Sequence, residues 1–221
     1  MRLHIQLSKN TTIVPFNYQE QQVSKLHYWL GKNEIHDKLS LYSFSWLKNG
    51  RQEGSKGLNF KTGSQFFISC YDSSLIKQLI KSIQQDNDFG WGMKIKALTI
   101  EKEPDFEYQH RFLVGSPVFI KRSQADEKGA KFFYYNDEDA NQFLTESLQH
   151  KLNDAGLSYE DVSVQFDESY QNPTTKGVTY KGIFNKGSIC PVIINGTPEQ
   201  LAFAWNVGVG NSTGIGFGSL I

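Results

Sequence analysis

The sequence lacks the hydrophobic segments that membrane insertion or secretion requires. Its 221 residues contain no run of about 18 apolar residues, the length that favours a transmembrane helix. The first ten residues, MRLHIQLSKN, include no apolar stretch long enough for a signal peptide. We therefore expect a soluble, cytoplasmic protein that does not act at a membrane.

Cysteine is scarce as well, and the two cysteines, Cys70 and Cys190, lie far apart in the sequence. This spacing excludes a Cys-x-x-Cys metal or redox motif, and a disulfide is uncommon in the cytosol. No other convincing metal-ligand cluster is present, so we expect neither a metal nor a cofactor. Hydrophobic residues make up 38% of the chain, which is enough to form a core and argues against disorder.

Net charge is also absent, because 23 lysines and arginines balance 23 acidic residues. The charges are unevenly distributed along the chain. Acidic residues dominate between 126 and 168, whereas residues 169–198 contain no acid and three lysines, Lys176, Lys181 and Lys186. A neutral total therefore permits one basic face that an anionic partner would meet. Charges scattered over a solvated surface are the alternative.

Hydrophobic periodicity predicts the order βαββαβ in the first hundred residues. Helices are expected over residues 17–30 and 74–84. The expected strands are residues 3–7, 41–47, 65–70 and 93–100. The charged segment 101–107 contains Pro104 and marks the boundary of this unit.

The same order repeats after this boundary. The expected elements are a strand over 117–122, a helix over 137–152, a strand over 162–166, a hairpin within 177–194, a helix to about Asn206 and a final strand over 217–221. Thr197 is the expected N-cap of the last helix, with Pro198 at its first position. We predict an α+β fold of two tandem ferredoxin-like (RRM-like, βαββαβ) domains, residues 1–104 and 108–221.

Five of the 19 glycines lie between Gly208 and Gly218, where the backbone must turn freely or approach another group closely. A dinucleotide-binding loop needs a strand before it and a helix after it, which is the reverse of the order here. A Walker loop needs Gly-Lys-Ser/Thr, which is absent. Residues 210–214 match the pattern G-x-S-x-G, but neither histidine nor acid follows Ser212, which excludes a serine hydrolase.

The remaining interpretation is a glycine-rich loop that binds a phosphate backbone through exposed N–H groups and the hydroxyls of Ser212 and Thr213. The loop residues expected to bind are Gly208, Gly210, Asn211, Ser212, Thr213, Gly214 and Gly216. A tight structural crossover that binds nothing is the alternative.

The segment TPEQLAFAWNVGVGNSTGIGFGSL resembles the C-terminal signature of the Cas6 family, the CRISPR repeat endoribonucleases of the RAMP superfamily. In that family a helix leads into a glycine-rich loop and a final strand. The segment VPFNYQEQQVSKLHYWL resembles the first helix of the family, LYSFSWL its second strand, and Ser116-Pro117-Val118 the start of its second domain. The matches span nearly the whole chain in the family's order, and the family's tandem ferredoxin-like fold agrees with the periodicity.

The resemblance implies metal-independent cleavage of CRISPR repeat RNA during pre-crRNA processing. In the family, the 2′-hydroxyl of the substrate attacks the adjacent phosphate and leaves a 2′,3′-cyclic phosphate and a 5′-hydroxyl. This reaction needs a base, an acid and a donor or cation for the developing charge. Other CRISPR-associated proteins, or a second copy of the chain, are further partners that the resemblance allows.

The resemblance also suggests catalytic residues. The family has a tyrosine in the first helix and a histidine at or beyond its end, and Tyr28 and His36 match these positions. His27 is the main rival of His36. Some members carry a lysine directly before the second strand, where this chain has Ser40. Either Lys38 takes that role, or Tyr28 and backbone N–H groups stabilise the negative charge of the transition state instead.

Basic residues are expected to hold the RNA. Lys121 and Arg122 are candidate phosphate contacts, as are the three lysines of the predicted hairpin. Those lysines recur every five residues, and in an extended strand an odd spacing puts neighbours on opposite faces. Two other functions stay open: an RNA-binding relative that does not cut, and a ferredoxin-like subunit that assembles with proteins.

Overall fold

The computed structural model describes residues 1–31, 40–123 and 130–221. Its helices are α1 (Gln19–Leu30), α2 (Ser73–Gln85), α3 (Ala140–Asp154) and α4 (Pro198–Val207). The strands of the first half are β1 (Arg2–Leu7), β2 (Tyr42–Phe44), β3 (Arg51–Glu53), β4 (Gly57–Asn59), β5 (Ser64–Cys70), β6 (Asp88–Gly90) and β7 (Met93–Glu101). Those of the second half are β8 (Gln109–Phe112), β9 (Ile120–Ser123), β10 (Ala130–Phe133), β11 (Ser163–Phe166), β12 (Thr174–Tyr180), β13 (Ile183–Ile189) and β14 (Val192–Asn195). Within the described ranges, no helix has the length and apolar character needed to cross a membrane.

The first half forms one sheet with the strand order β2–β5–β1–β7–β6. Strand β1 lies at its centre and pairs antiparallel with β5 and β7. Alternation along β1 buries Leu3, Ile5 and Leu7 in one core with residues of α1 and α2. The predicted βαββαβ order of this half is confirmed, with β3, β4 and β6 as additional short strands.

Strand β2 is shorter than the predicted 41–47 because the chain leaves the sheet after Phe44. The N–H group of Ser45 still bonds the carbonyl of Phe67, but that of Trp46 donates to Gly115 in the second half. The polar connection predicted for 48–64 contains the hairpin β3–β4. A propensity pattern cannot register this change of partner, since Gly115 is distant in sequence.

The second half is built around the three-stranded sheet β11–β14–β8, and its buried apolar residues form a second core with α3 and α4. The capping box of α4 is confirmed: Thr197 accepts from the N–H of Gln200, whose side chain accepts from the N–H of Thr197. Helix α3 begins at Ala140 rather than at 137. The carboxylate of Asp137 instead accepts from the N–H of Tyr134 at 2.6 Å, in a turn that precedes the helix.

Two strand predictions for the second half are wrong in extent. The ladder β12–β13 ends at Ile189, because Pro191, which has no N–H group, turns the chain into β14 of the other sheet. Residues 217–221 form no strand, since only Leu220 makes an isolated bridge, to Val114. The segment lies beside residues 113–117 without forming a regular ladder. Gly218 donates to the carbonyl of Pro117, Ile221 to that of Leu113, and Ser219 to the side-chain hydroxyl of Ser116.

Arg2 joins the two halves through a buried guanidinium. It lies 3.9 Å from the ring centroid of Phe67 and 3.8 Å from that of Trp205. The same group donates to the carbonyls of Trp205, at 3.2 Å, and Leu220, at 2.7 Å. Charge-assisted bonds of this kind are stronger than neutral ones, so Arg2 ties β1 directly to the C-terminal segment.

Gly218 shows how closely the C-terminal backbone packs. Its φ is +63°, in the left-handed region that favours glycine. A Cβ atom at this position would overlap the carbonyl oxygen of Val209. Val209 cannot easily move away, because its N–H group donates to the Gly218 carbonyl at 2.9 Å. The crossing of these two segments therefore requires glycine for space as well as for conformation.

Gly218→Ala is expected to lower the free energy of unfolding by about 3 kcal/mol, from steric overlap added to the left-handed conformation. Gly156→Ala is the matched control. Gly156 also has a positive φ, +73°, but nothing lies within 4 Å of the added Cβ, so a loss of about 1 kcal/mol is expected. Urea unfolding of both variants checks the difference, and equal losses would contradict the packing requirement.

Candidate functional site

Residues 208–218, here called the glycine loop, lie where the two halves meet. Gly214 packs against Ser40, and a Cβ at Gly216 would lie 2.8 Å from the ring of Phe44 in β2. On the other side, a Cβ at Gly210 would lie 2.5 Å from the carbonyl oxygen of Phe119. The glycines therefore allow one segment to contact both halves at backbone distance.

Most N–H groups of the glycine loop bond carbonyls within the protein. The donors with such partners are Gly208, Val209, Asn211, Ile215, Gly216 and Gly218. The expectation of a surface of exposed N–H groups is therefore wrong for Gly208, Asn211 and Gly216. In the part of the chain that the structure describes, the N–H groups of Ser212, Thr213 and Gly214 have no protein acceptor. RNA binding by the loop stays a prediction, centred on this shorter stretch.

A histidine and a tyrosine connect the glycine loop to the first half. His27, in the last turn of α1, has Nε2 3.1 Å from the hydroxyl of Tyr42. That hydroxyl donates to the carbonyl of Gly214 at 3.2 Å. The Tyr42 hydroxyl has one proton, and it donates this proton to the carbonyl. Its oxygen must then accept a hydrogen bond from His27, so Nε2 of His27 carries a proton. Burial raises the pKa of Tyr42 to about 12, so this donor keeps its proton at neutral pH.

Tyr28 lies elsewhere, although it is adjacent to His27 in the sequence. Its side chain is exposed, at 62%, and its ring centroid is 4.8 Å from Nζ of Lys25. Lys25 in turn pairs with Asp86 at 2.8 Å. Consecutive residues of a helix point about 100° apart, so one helix end cannot direct both side chains to the loop. Of this pair, the structure brings His27 to the glycine loop.

The predicted catalytic residues His36 and Lys38 lie outside the described residues. Ser40, the first described residue after them, contacts the glycine loop. Its carbonyl accepts from the hydroxyl of Thr213 at 3.5 Å. The position at which the resemblance leads one to expect a lysine therefore lies next to the loop, and this chain has Ser40 there.

A polar cleft of about 610 Å³ opens beside the glycine loop. Its lining residues come from the loop, α3, β9 and the segment before β2: Ser40, Arg122, Glu146, Ser147, His150, Lys151, Gly210, Asn211, Ser212 and Thr213. The Asn211 side chain attaches the loop to β9 by accepting from the N–H of Lys121 at 2.8 Å. The Lys121 side chain is exposed, and Arg122 pairs with Glu146 at 3.3 Å.

Lys151 is a residue of this cleft that the sequence analysis missed. Its ammonium donates to the carbonyl of Gly208 at 3.2 Å and to the hydroxyl of Thr213 at 3.4 Å. Burial lowers the pKa of Lys151 to about 7. Lys151 follows Leu144 by seven residues and Leu148 by three, a helical spacing that places it on the same buried face. From this spacing, the sequence could have predicted that Lys151 is buried.

Comparison with known proteins now decides the family. The family model of the C-terminal part of the CRISPR associated protein Cas6 matches residues 101–220, more than half of the chain. The chain belongs to the Cas6 family. A search of curated proteins finds no match.

Solved Cas6 structures show the same fold over the whole chain. A Cas6-related protein from Pyrococcus furiosus has 20% identity and a TM-score of 0.87, covering 100% of this chain and 97% of that one. A RAMP protein binding different RNA substrates has 18% identity and a TM-score of 0.85, with coverages of 100% and 99%. A Cas6 product complex has 13% identity and a TM-score of 0.69, with coverages of 100% and 99%.

The hairpin lysines of this Cas6 family member do not share one surface. In the β12–β13 ladder Lys176 faces Gly187 and Lys186 faces Gly177, so alternation puts these two lysines on opposite faces. The three lysines therefore do not line one flat surface, as expected, but the reason differs: in a single extended strand their spacing would have put Lys176 and Lys186 on the same face, and the turn between the strands reverses this. Lys176 lies 5.1 Å from the ring centroid of Trp46, whose indole N–H bonds the Gly216 carbonyl. Lys186 lies 5.1 Å from the ring centroid of Tyr134. Of these two lysines, Lys176 is the one connected to the glycine loop.

Lys181 lies at the tip of the same hairpin. Its φ is +47° and that of Gly182 is +76°, as a two-residue turn between antiparallel strands requires. The N–H group of Lys181 is 3.4 Å from the carboxylate of Glu20 in α1. The hairpin of the second half therefore reaches back to the first half, with Lys181 above the N-terminal end of α1.

Tyr42→Phe is expected to lower the free energy of unfolding by about 1 to 2 kcal/mol, because the buried Gly214 carbonyl and the imidazole of His27 lose their shared partner. Tyr28→Phe is the matched control and should stay within about 0.5 kcal/mol of wild type, since the Tyr28 side chain is exposed. Urea unfolding of both variants checks this prediction. A Tyr42→Phe protein as stable as Tyr28→Phe would contradict the bridging role.

Proposed function

We propose that this Cas6 family member is an endoribonuclease that processes CRISPR repeat RNA. The observation that carries the proposal is the family match over residues 101–220, which includes the whole glycine loop, together with His27 hydrogen-bonded through Tyr42 to that loop. Among similar structures, one is a Cas6 product complex and another a RAMP protein that binds RNA. Both support RNA as the substrate.

The proposed reaction is attack of a 2′-hydroxyl on the adjacent phosphate, without a metal, which forms a 2′,3′-cyclic phosphate and releases a 5′-hydroxyl. The proton of the attacking hydroxyl passes to a base, and the leaving oxygen takes a proton from an acid. Histidine suits both roles because its pKa lies near neutrality. The family resemblance favours His36, with Tyr28 and Lys38, whereas the contacts of the described residues favour His27.

The proposal includes the finer architecture of two tandem ferredoxin-like domains, residues 1–104 and 108–221. The strand order β2–β5–β1–β7, with α1 after β1 and α2 between β5 and β7, supports the first. In the second, α3 and α4 flank the pair β11–β14. Two buried apolar clusters, one mainly in each half, support the division.

We propose that RNA contacts extend from the glycine loop over the basic residues beside it. Lys121 and Arg122 adjoin the loop through β9, and Lys176 adjoins it through Trp46. Lys181 extends this surface to the tip of the hairpin, whereas Lys186, on the opposite face, would contact a separate part of the RNA. Each lysine would neutralise a backbone phosphate and so contribute affinity rather than sequence preference.

Cleavage of the host's repeat RNA in EDTA tests the activity. His36→Ala and His27→Ala should be compared, and loss of the catalytic histidine is expected to slow cleavage by about 10² to 10⁴ while RNA binding is retained. His4→Gln is the control, since His4 lies in β1 and pairs with Glu101. A product with a 2′,3′-cyclic phosphate end is expected from wild type.

The same experiment discriminates the alternatives. If the wild-type protein binds RNA without cleaving it, the protein is an RNA-binding relative and not an enzyme. The serine at position 40, where some family members carry lysine, favours this alternative. If the wild-type protein binds no RNA, the remaining function is that of a ferredoxin-like subunit that assembles with other proteins. Cleavage that stops when EDTA is added would contradict the metal-independent reaction.

The salt dependence of RNA binding tests the basic surface. Lys186→Met is expected to make the slope of log affinity against log salt concentration shallower by about 0.7, the value for one phosphate contact on a single strand. Lys77→Met, in the exposed face of α2, should leave the slope unchanged. Fluorescence anisotropy between 50 and 300 mM salt, a range of roughly sixfold, provides the measurement. Identical slopes for the two variants would remove Lys186 from the surface.

A further inference from the structure

We propose that Lys151 and Arg122 form a subsite in the polar cleft that binds one backbone phosphate of the RNA. The inference rests on the proposed function in one respect, that the chain binds RNA. It adds a binding residue on α3, which neither the resemblance nor the basic pattern of the sequence indicates.

Lys151 is a buried cation that lines an open cleft. Its residue surface is 3% exposed, and its ammonium contacts two neutral oxygens of the glycine loop, the Gly208 carbonyl and the Thr213 hydroxyl. Across residues 1–31, 40–123 and 130–221, no carboxylate lies within 4.0 Å of its nitrogen. Among the described residues, the positive charge therefore has dipolar partners but no counter-ion.

Such a charge is costly to retain. A buried ammonium loses its hydration, and neutral hydrogen bonds compensate only part of that loss. The lowered pKa of Lys151, about 7, has desolvation as its cause. An anion entering the cleft would provide the missing counter-ion and favour the charged form. The lysine is thus placed to pair with an anionic ligand, since the described residues supply no carboxylate to it.

Arg122 contributes a second cation to the same cleft. Its guanidinium donates to the Phe143 carbonyl at 2.8 Å and pairs with Glu146 at 3.3 Å. These contacts use part of its five N–H donors and leave others for a ligand. Ser212 and Thr213 also line the cleft, and their N–H groups have no acceptor among the described residues.

The charged and titratable groups around the cleft define the ligand. Arg122 comes from β9, Glu146, His150 and Lys151 come from α3, and the glycine loop contributes only neutral groups. His150 lies 3.9 Å from Asp154, and Glu146 is already paired with Arg122. The combination of two cations, hydroxyls and N–H groups matches a phosphate, which accepts several hydrogen bonds at once.

The subsite is connected to the candidate histidine through consecutive loop residues. Thr213 accepts from Lys151, and the next residue, Gly214, accepts from Tyr42, which holds His27. A phosphate bound at Lys151 would therefore fix the RNA next to the segment on which His27 is held. If His27 is the catalytic histidine, the subsite would therefore lie next to the phosphate on which it acts.

The test is repeat-RNA binding by anisotropy between pH 6.0 and 8.5 at constant ionic strength, a range that spans the lysine's titration. Wild-type affinity is expected to fall as pH rises through 7, because the ammonium loses the proton that the phosphate requires. Lys151→Met should weaken binding about tenfold at the acidic end and remove that part of the pH dependence. Lys81→Met, on the exposed face of α2, should match wild type at every pH.

Thermal unfolding separates binding from folding. Lys151→Met replaces a buried unpaired charge by a side chain of similar length, so it should melt at or above the wild-type temperature. If it melts lower, Arg122→Gln provides the second test, because Arg122 is only partly buried, and it should weaken binding with the fold intact.

The outcomes are distinct from those of the proposed function. A folded Lys151→Met protein that binds RNA with wild-type affinity and pH profile would overturn the subsite and leave the endoribonuclease proposal standing. Unchanged binding by Arg122→Gln would do the same where Lys151→Met is unstable. A wild-type protein that binds no repeat RNA would overturn both.

Discussion

The backbone of the glycine loop passes between the two halves of the molecule at distances that a Cβ atom would prevent. Gly210 contacts the Phe119 carbonyl, Gly216 the ring of Phe44, and Gly218 the carbonyl of Val209. Because a folded interior is close-packed, these contacts set the separation of the halves as well as the course of the loop. The position of every side chain that bonds the loop follows from this constraint.

Polar groups reach the loop from both sides. From the first half, Tyr42 bonds the Gly214 carbonyl and holds His27. From the second half, Lys151 bonds the Gly208 carbonyl and the Thr213 hydroxyl. The carbonyls of Gly208 and Gly214 are therefore occupied by the protein, while a short run of N–H groups at 212–214 has no protein acceptor in the described ranges. An anion is the partner that this arrangement favours.

Several elements followed from local pattern. The alternation in β1, the helical stripes of α1 and α2 and the capping box at Thr197 are short-range features, and the structure contains them close to the predicted bounds. The errors lie where a distant partner decides. Residues 217–221 lie beside residues 113–117 but form only one isolated bridge, because the N–H group of Ser219 donates to the side chain of Ser116 rather than to a backbone carbonyl. Strand β14 leaves the predicted hairpin to pair with β8 and β11.

By itself, the sequence determined the α+β class, the element order of the first half, the glycine loop and the resemblance to Cas6 that the family match bears out. These depend on residues close in the chain, whose spacing is readable without coordinates. Only the tertiary structure decided which side chains meet the loop. His27 rather than Tyr28 reaches it, and Lys151 enters from a helix of the other half, because such contacts depend on packing between residues far apart in sequence.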